Sequence, residues 1–211
     1  MNNTDRYIFV WRNQAGMSKA AQTRNFIIEK TATVFNKKGY AGTSLSDMTA
    51  ATGLTKGSIY GNFANKDAVA LAVFDYNLQK IGNIIRAESG KQKSIKGQLL
   101  VYTNVYANLM KFPVTPGGCP ILNTATEADD THSGLKEKVK AAILAWKHTI
   151  MKLIEKGMAA HEFRKDINPE QVALTFIAAL EGGIMIAGLT GKPNDMKLVT
   201  KSVEKMIDAL A

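Results

Sequence analysis

Residues 43–66 contain the side chains of this 211-residue chain whose types and spacing best suggest a chemical role, and the chemistry they suggest is hydrogen bonding. Lys56, Gly57 and Ser58 follow one another, with Tyr60 and Asn62 just beyond. A lysine can donate to a phosphate or to a guanine edge, whereas glycine and serine are small enough to allow close approach to bases. This combination predicts a surface that enters the groove of a nucleic acid.

The residues around this surface predict two short helices joined by a turn. Ser44 can cap the first helix, and Asp47 can reach back to it in a capping box. Gly53 suits the left-handed conformation that closes a helix. Thr55 can then cap a second helix, whose apolar residues are spaced to pack inward. The order of these signals predicts a helix-turn-helix with the face around Lys56 exposed.

The charge distribution favours the same interpretation. The chain has 27 Lys and Arg residues against 18 Asp and Glu, a formal net charge of +9. Residues 19–66 hold seven of the basic and two of the acidic residues, which is +5 of that total. A concentrated positive charge is expected where a segment displaces counterions from phosphates, although a solvated basic face would have the same composition.

The same stretch resembles the N-terminal domain of the TetR family of transcriptional regulators. The residues that carry the resemblance are Phe35, Gly39, Tyr40, Thr43, Gly53, the run Lys56–Tyr60, Phe63 and Lys66. By position, the resemblance implies that DNA is contacted by Ser44, Ser46, Thr55, Lys56, Gly57, Ser58, Tyr60, Asn62 and Lys66. Gly61 departs from the pattern, because many relatives carry a larger side chain there. The alternative, a helix-turn-helix that binds no DNA and uses Tyr60 and Phe63 as core aromatics, is given less weight.

Helical periodicity runs through almost the whole chain without a strand-like alternation, and predicts an all-α fold. We expect an N-terminal extension with little order at residues 1–18, a three-helix helix-turn-helix domain at 19–83, and a helical effector-binding and dimerisation domain at 84–211. The extension could also be an artefact of the assigned start, or an arm whose Arg6 and Arg12 reach the minor groove. The first two readings are favoured.

A homodimer is expected from both resemblance and geometry. The resemblance implies that the last two helices pair with their copies in a second subunit, and the apolar stripes there supply the predicted interface: Phe176, Leu180, Ile184, Val199, Val203, Met206 and Leu210. One recognition helix reads few base pairs, so useful specificity needs two heads about 34 to 36 Å apart on a near-palindrome. Ordinary intrachain core would produce the same stripes.

The resemblance further implies a repressor that an unidentified small molecule releases from double-stranded operator DNA. The predicted effector pocket comprises Tyr102, Tyr106, Met110, Cys119, Leu122, Trp146, Phe176 and Met185, although core packing would explain each residue as well. Pro120 suits the first position of a helix, which makes Cys119 its N-cap. A thiol there is expected to have a lowered pKa and could sense an electrophile or oxidant, with a passive structural role as the alternative.

Other function classes find less support. His132, His148 and His161 lack metal-ligand spacing, and no phosphate-binding glycine loop occurs, so an enzyme is not expected. The acidic cluster of Glu127, Asp129, Asp130 and His132 matches no specific metal motif. We therefore expect no cofactor and no metal. A lone cysteine, the lack of an apolar run long enough to cross a bilayer, and the lack of a secretory signal predict a cytoplasmic protein without a membrane partner.

Overall fold

The computed structural model describes residues 17–109 and 115–211. Within these two ranges the chain forms nine α-helices and no β-strand, which confirms the predicted all-α class. The expectations for residues 1–16, including the arm with Arg6 and Arg12, lie outside the described residues. In chain order the helices are α1 (Lys19–Gly42), α2 (Leu45–Thr52), α3 (Lys56–Tyr60), α4 (Lys66–Ser89), α5 (Ile95–Asn108), α6 (Pro120–Ala128), α7 (Ser133–Ala159), α8 (Pro169–Thr190) and α9 (Pro193–Asp208).

Helices α1, α2 and α3, with the first turns of α4, form an N-terminal head. The inner face of α1 buries Ile27 and Phe35 against α2 and α4. Met48 of α2 and Ile59 of α3 are both fully buried in the same core. Because the apolar residues of the short helices α2 and α3 pack into this core, their polar residues lie on the outside.

Helix α4 runs without a break from the head into the C-terminal body. Its residues Phe74 and Ile81 are buried. Asn77 is also buried and donates its amide to the carbonyl of Ala32 in α1 at 3.1 Å. The predicted boundary between residues 83 and 84 falls inside this helix, so head and body share one continuous element.

The body consists of α5 to α9. The inner face of α5, with Leu99, Thr103 and Tyr106, is buried against α7, α8 and α9. Helices α8 and α9 pack closely where Gly183 faces α9, since a Cβ there would lie 2.8 Å from the sulfur of Met196. The absence of a side chain at Gly183 therefore allows this close approach.

The prediction of the dimer-interface residues needs correction. Phe176, Leu180, Ile184, Val203 and Leu210 are buried within their own protomer, because α8 and α9 pack on each other and on α5 and α7. A side chain that its own chain encloses has no surface to offer a partner, so the interface prediction for these five is wrong. Val199 and Met206 are half-buried, and their place in an interface stays a prediction. The apolar side chains that α8 and α9 expose are Leu174, Met185, Ile186, Leu189 and Leu198.

The expectation that no apolar run is long enough to cross a bilayer was also wrong. Helix α8 has 22 residues, and an 18-residue window within it reaches a mean hydropathy of 2.0. Of that window, 44% is buried inside the protein. Core helices of soluble proteins have the same length and composition, and α8 packs one side on the body while its other side carries the exposed apolar residues.

Candidate DNA-binding surface and effector site

The turn between α2 and α3 is built as the sequence predicted. The Ser44 hydroxyl accepts from the Asp47 amide at 3.1 Å, and the Asp47 carboxylate accepts from the Ser44 amide at 2.9 Å. Lys38 forms an ion pair with Asp47 at 2.7 Å, and hydrogen bonds from Lys38 and Ser44 lower the pKa of that carboxyl to about 2. Gly53 closes α2 with a φ of 68°, and the Thr55 hydroxyl caps α3 by accepting from the Ser58 amide at 3.2 Å.

These caps fix the ends of the two short helices that carry most of the predicted DNA-contacting residues. Ser44, Ser46, Thr55, Lys56 and Gly57 are exposed, whereas Ser58, Tyr60, Asn62 and Lys66 are half-buried. Within the described chain Lys56 makes no ion pair, so its ammonium group is available to an external anion. Asn62 donates its side-chain amide to the carbonyl of Ser58 at 2.9 Å and thereby helps to end α3.

Arg24 contacts the end of α3 and was not among the residues predicted from the sequence. Its guanidinium lies 3.9 Å from the centre of the Phe63 ring and donates to the carbonyl of Asn62 at 2.8 Å. Stacking on an aromatic ring combined with a fixed hydrogen bond orients a guanidinium well. Arg24 therefore links α1 to the end of α3, across 38 positions of sequence, which local spacing does not reveal.

A polar cluster lies beside this surface, where α1, α4 and α7 meet. The Tyr40 hydroxyl donates to Asp67, and this bond, with burial and the charge of Asp67, raises the pKa of Tyr40 to about 12. The Lys66 ammonium lies 4.4 Å from the centre of the Tyr40 ring. His132 caps α7 through Nδ1 and packs edge-on against Tyr40 with the ring centres 4.6 Å apart. Lys66, a predicted phosphate contact, is therefore oriented by a residue that also touches the body.

The end of α1 is joined to α6 by a second set of polar contacts, here called the α1–α6 joint and comprising Asn36, Gly39, Gly117, Asn123 and Glu127. Gly39 breaks the helix with φ 71° and ψ −179°. Beyond the break, Glu127 accepts from the amides of residues 40 and 41, each at 2.6 Å. Asn123 donates to the carbonyls of Asn36 and Gly117, each at 2.9 Å. Helix α6 therefore holds the part of α1 that leads into α2.

The opposite end of α6 enters a buried cluster, here called the body cluster and comprising Tyr102, Tyr106, Cys119, Trp146, Phe176 and Glu181. The Tyr106 and Trp146 rings stack with centres 5.1 Å apart, and the Tyr102 ring lies 6.4 Å from that of Trp146. The Cys119 thiol donates to Glu181 Oε1 at 3.0 Å and lies 3.8 Å from the Tyr106 hydroxyl. The structure thus brings together five of the eight predicted effector-site residues, and adds Glu181 to them.

The electrostatics of the body cluster contradict the predicted reactivity of Cys119. Cys119 is the N-cap residue of α6, as predicted, but its side chain caps no amide and is fully buried. Burial, followed by the nearby Glu181 carboxyl, raises the pKa of the Cys119 thiol well above its ordinary value. The expected lowering of this pKa was therefore wrong, because desolvation outweighs the amides at the start of the helix.

Two segments of the chain, one covering about half of it and the other near its N-terminus, each match a family description. Residues 96–203 match "Tetracyclin repressor-like, C-terminal domain", and residues 27–73 match "Bacterial regulatory proteins, tetR family". The chain belongs to the TetR family. It is a helix-turn-helix transcriptional regulator of that family, as the resemblance implied.

Two solved structures of TetR-family regulators are similar over nearly the whole chain. One, from Cytophaga hutchinsonii, is 46% identical with a TM-score of 0.86, over 92% of this chain and 97% of its own. Another, from Chloroflexus aurantiacus, is 36% identical with a TM-score of 0.86, over 91% and 97% of the two chains. Among curated proteins, the HTH-type transcriptional repressor DhaR of Mycobacterium is 25% identical over 162 residues, which is 77% of this chain and 80% of DhaR.

Two remaining effector-site predictions fall outside the buried cluster of this TetR-family body, and a third cannot be placed. Leu122 and Met185 line an open surface groove of about 340 Å³ between α6 and α8, and Met185 is exposed. Met110 lies outside the described residues. The groove borders the body cluster, because its Gly118 precedes Cys119 and its Ile184 follows Glu181 by one helical turn.

Glu181, Asn36 and Asn123 are the residues of the body and the joint that sequence reasoning missed. Glu181 did carry a signal, since it is a single acidic residue within the otherwise apolar run of α8. An acidic residue on a buried helix face is usually paired or functional. Asn36 and Asn123 carried no comparable signal, because each bonds a backbone carbonyl that is distant in sequence.

Proposed function

We propose that this TetR-family chain represses transcription in the cytoplasm as a homodimer bound to a near-palindromic operator, and that a small molecule bound in its body releases it. The observation that carries the proposal is the exposed face of α3, where Thr55, Lys56 and Gly57 project from a helix capped at both ends. Residues of this type suit phosphates and base edges. The excess of positive charge in residues 19–66 adds a long-range attraction to DNA.

The exposed apolar residues of α8 and α9 support the homodimer. Leu174, Met185 and Leu189 recur along one side of α8, and Leu189 is 82% exposed. Leu198 is an exposed apolar residue of α9, which packs on α8. Apolar side chains clustered on one surface mark an interaction site, and a two-fold pairing of this face would set two α3 helices on adjacent major grooves.

Release by an effector is supported by the position of α6. Its first turn meets the body cluster at Cys119, and its last turn holds α1 through Glu127. A ligand that moves the first turn therefore acts on the element that leads into α2 and α3. The size of the response is limited by the difference between the ligand's affinities for the two states.

Selection of bound sequences from random duplexes, followed by fluorescence anisotropy with the selected duplex, tests the DNA-binding part. We expect sequence-selective binding that weakens steeply as salt rises from 50 to 200 mM, in proportion to the phosphates contacted. Retention of all duplexes with equal affinity, or of none, would contradict the proposal.

The dimer is tested by sedimentation of Leu189→Glu beside the matched variant Leu144→Glu. Leu144 is also exposed, at 49%, but lies on α7 rather than on the α8 and α9 surface. We expect the first variant to dissociate at concentrations where wild type and the second stay dimeric, because it places a charge in an apolar interface. Equal behaviour of the two variants would place the interface elsewhere.

Sensing by Cys119 stays a prediction, and the structure limits how it could work. A buried thiol with a raised pKa reacts slowly, so reaction would require the body cluster to open first. Cys119→Ser, challenged with quinones, aldehydes and peroxide, separates the alternatives. Unchanged release of the selected duplex from this variant would reject the sensor.

A further inference from the structure

The Glu181 carboxyl is the strongest unexplained feature of the body. Its side chain is enclosed by the core, with 8% of the residue exposed, and Oε1 accepts from the Cys119 thiol. Oε2 is buried and has no hydrogen-bond partner within residues 17–109 and 115–211. No Lys, Arg or His of the described residues lies within ion-pair distance of it. A buried carboxylate with neither a counter-ion nor a full set of donors is unfavourable, so it calls for a functional explanation.

The surroundings of Glu181 are aromatic rather than aliphatic. The Tyr106 hydroxyl contacts the Cys119 thiol and lies close enough to Glu181 for that carboxyl's charge to act on it. The Tyr106 ring stacks on Trp146, which stacks in turn on Tyr102. The indole Nε1 of Trp146 is a second buried polar atom that has no hydrogen-bond partner among the described residues. Two such polar atoms in one aromatic cluster indicate a site for a ligand rather than ordinary core.

The chemistry of the cluster discriminates between ligand charges. An anionic ligand would face the Glu181 carboxyl in a place of low dielectric, and no basic side chain of the described residues is there to receive it. A cation would pair with Oε2 and gain further from the electron-rich faces of tyrosine and tryptophan. Aromatic faces around one carboxylate suit an ammonium group with organic substituents, because such a group is weakly hydrated.

We propose that the body cluster binds an organic ammonium ion, with Glu181 as the counter-ion and Tyr102, Tyr106 and Trp146 as the aromatic walls. The proposal rests on the effector-released regulator described above and names the class of its effector. It excludes carboxylates, fatty acids and other anions as ligands of this site.

Titration calorimetry with the full-length protein, without DNA, tests the charge preference. The probes are benzyltrimethylammonium, its neutral carbon isostere neopentylbenzene, and the anion phenylacetate. We expect the cation to bind at least tenfold more tightly than the isostere, and phenylacetate not to bind. Equal or tighter binding of the isostere, tighter binding of phenylacetate, or no binding of the cation at millimolar concentration would overturn the proposal.

Substitution assigns the preference to Glu181. Glu181→Gln should abolish the preference for the cation, whereas Glu181→Asp should keep the preference with lower affinity. Glu137→Gln, at an exposed position of α7, is the control and should leave the preference unchanged. Circular dichroism melts establish that each variant is folded. A folded Glu181→Gln protein that still prefers the cation would contradict the role of this carboxyl.

The pH dependence gives an independent measure, because the charge of benzyltrimethylammonium does not change. Burial raises the pKa of Glu181 to about 7, and the pKa values of the facing groups Cys119 and Tyr106 are raised well above their ordinary values. In this window only Glu181 of the three titrates, so affinity should be about tenfold weaker at pH 6 than at pH 8. An affinity independent of pH would contradict the proposal. Since this binding is measured without DNA, a failure here leaves the DNA-binding test of the proposed function intact.

Discussion

The candidate DNA-binding surface and the body cluster differ in their exposure to solvent and in how their polar groups are satisfied. The surface is exposed and polar, and its caps join residues three positions apart, such as Ser44 with Asp47 and Thr55 with Ser58. The cluster is buried, and its central contact joins Cys119 to Glu181 across 62 positions. An exposed surface can keep free donors because water satisfies them, whereas the buried cluster holds polar atoms that no group of the described residues satisfies. The first region is therefore ready for DNA, and the second holds unsatisfied groups that a ligand could satisfy.

The α1–α6 joint connects these two regions, and Gly39→Ala should produce the largest effect on stability. A Cβ at Gly39 would lie 2.3 Å from Glu127 Oε2, in a backbone conformation that L-residues rarely adopt. We expect the free energy of unfolding to fall by about 4 kcal/mol, because strain adds to the loss of the two Glu127 bonds. Gly53→Ala is the control, since its Cβ would meet nothing within 4 Å, and it should cost about 1 kcal/mol. Equal losses in urea denaturation would mean that the joint has no special role.

The pH dependence of stability tests the buried state of Glu181. Its folded pKa, about 7, lies above the ordinary value of 4.5, so the folded state binds the proton more tightly than the unfolded state. Stability should therefore fall as pH rises from 4.5 to 7 and level off above that, by about 3 kcal/mol in total. Glu181→Gln should remove this slope. Urea titrations at pH 5 and pH 8 measure it, and a slope that persists in the variant would assign it to other groups.

The sequence predicted the head better than the body for a physical reason. Capping boxes, left-handed glycines and the face of a short helix depend on residues within one or two turns, so Ser44, Gly53 and Thr55 could be read directly. Burial of the interface stripe on α8, the raised pKa of Cys119, and the contacts of Glu181 depend on which helices pack together. Periodicity shows that Phe176 and Leu180 are apolar, but it does not distinguish the protomer's own core from a partner. The exposed residues Leu189 of α8 and Leu198 of α9 were overlooked for this reason.

Lys56→Glu tests whether an exposed charge of the head acts on DNA binding rather than on stability. The substitution should leave the melting temperature nearly unchanged, because Lys56 is exposed. It should lower the affinity for the selected duplex about a hundredfold, since a dimer loses two favourable contacts. Lys165→Glu, on an exposed loop of the body, changes the net charge equally and is the control. Anisotropy titrations at fixed salt compare them. Equal weakening by both variants would mean that only net charge matters.

Glu127→Gln should have the smallest effect of the series. The amide keeps the shape and one acceptor oxygen, but it loses the charge that strengthens the bonds to residues 40 and 41. We expect a loss of about 1 kcal/mol in the free energy of unfolding, while Glu137→Gln on the exposed side of α7 should change it little. A change as large as that of Gly39→Ala would show that the charge, rather than the backbone at Gly39, holds the joint.

The most direct test of the account is the affinity of the protein for duplexes that differ only in the arrangement of half-sites. The account predicts tight binding to two selected half-sites with centres about one helical turn apart, and binding near the nonspecific level when five base pairs are inserted between them or when one half-site is scrambled. Equal affinity for all three duplexes in anisotropy titrations would contradict the central claim that paired α3 helices read the DNA.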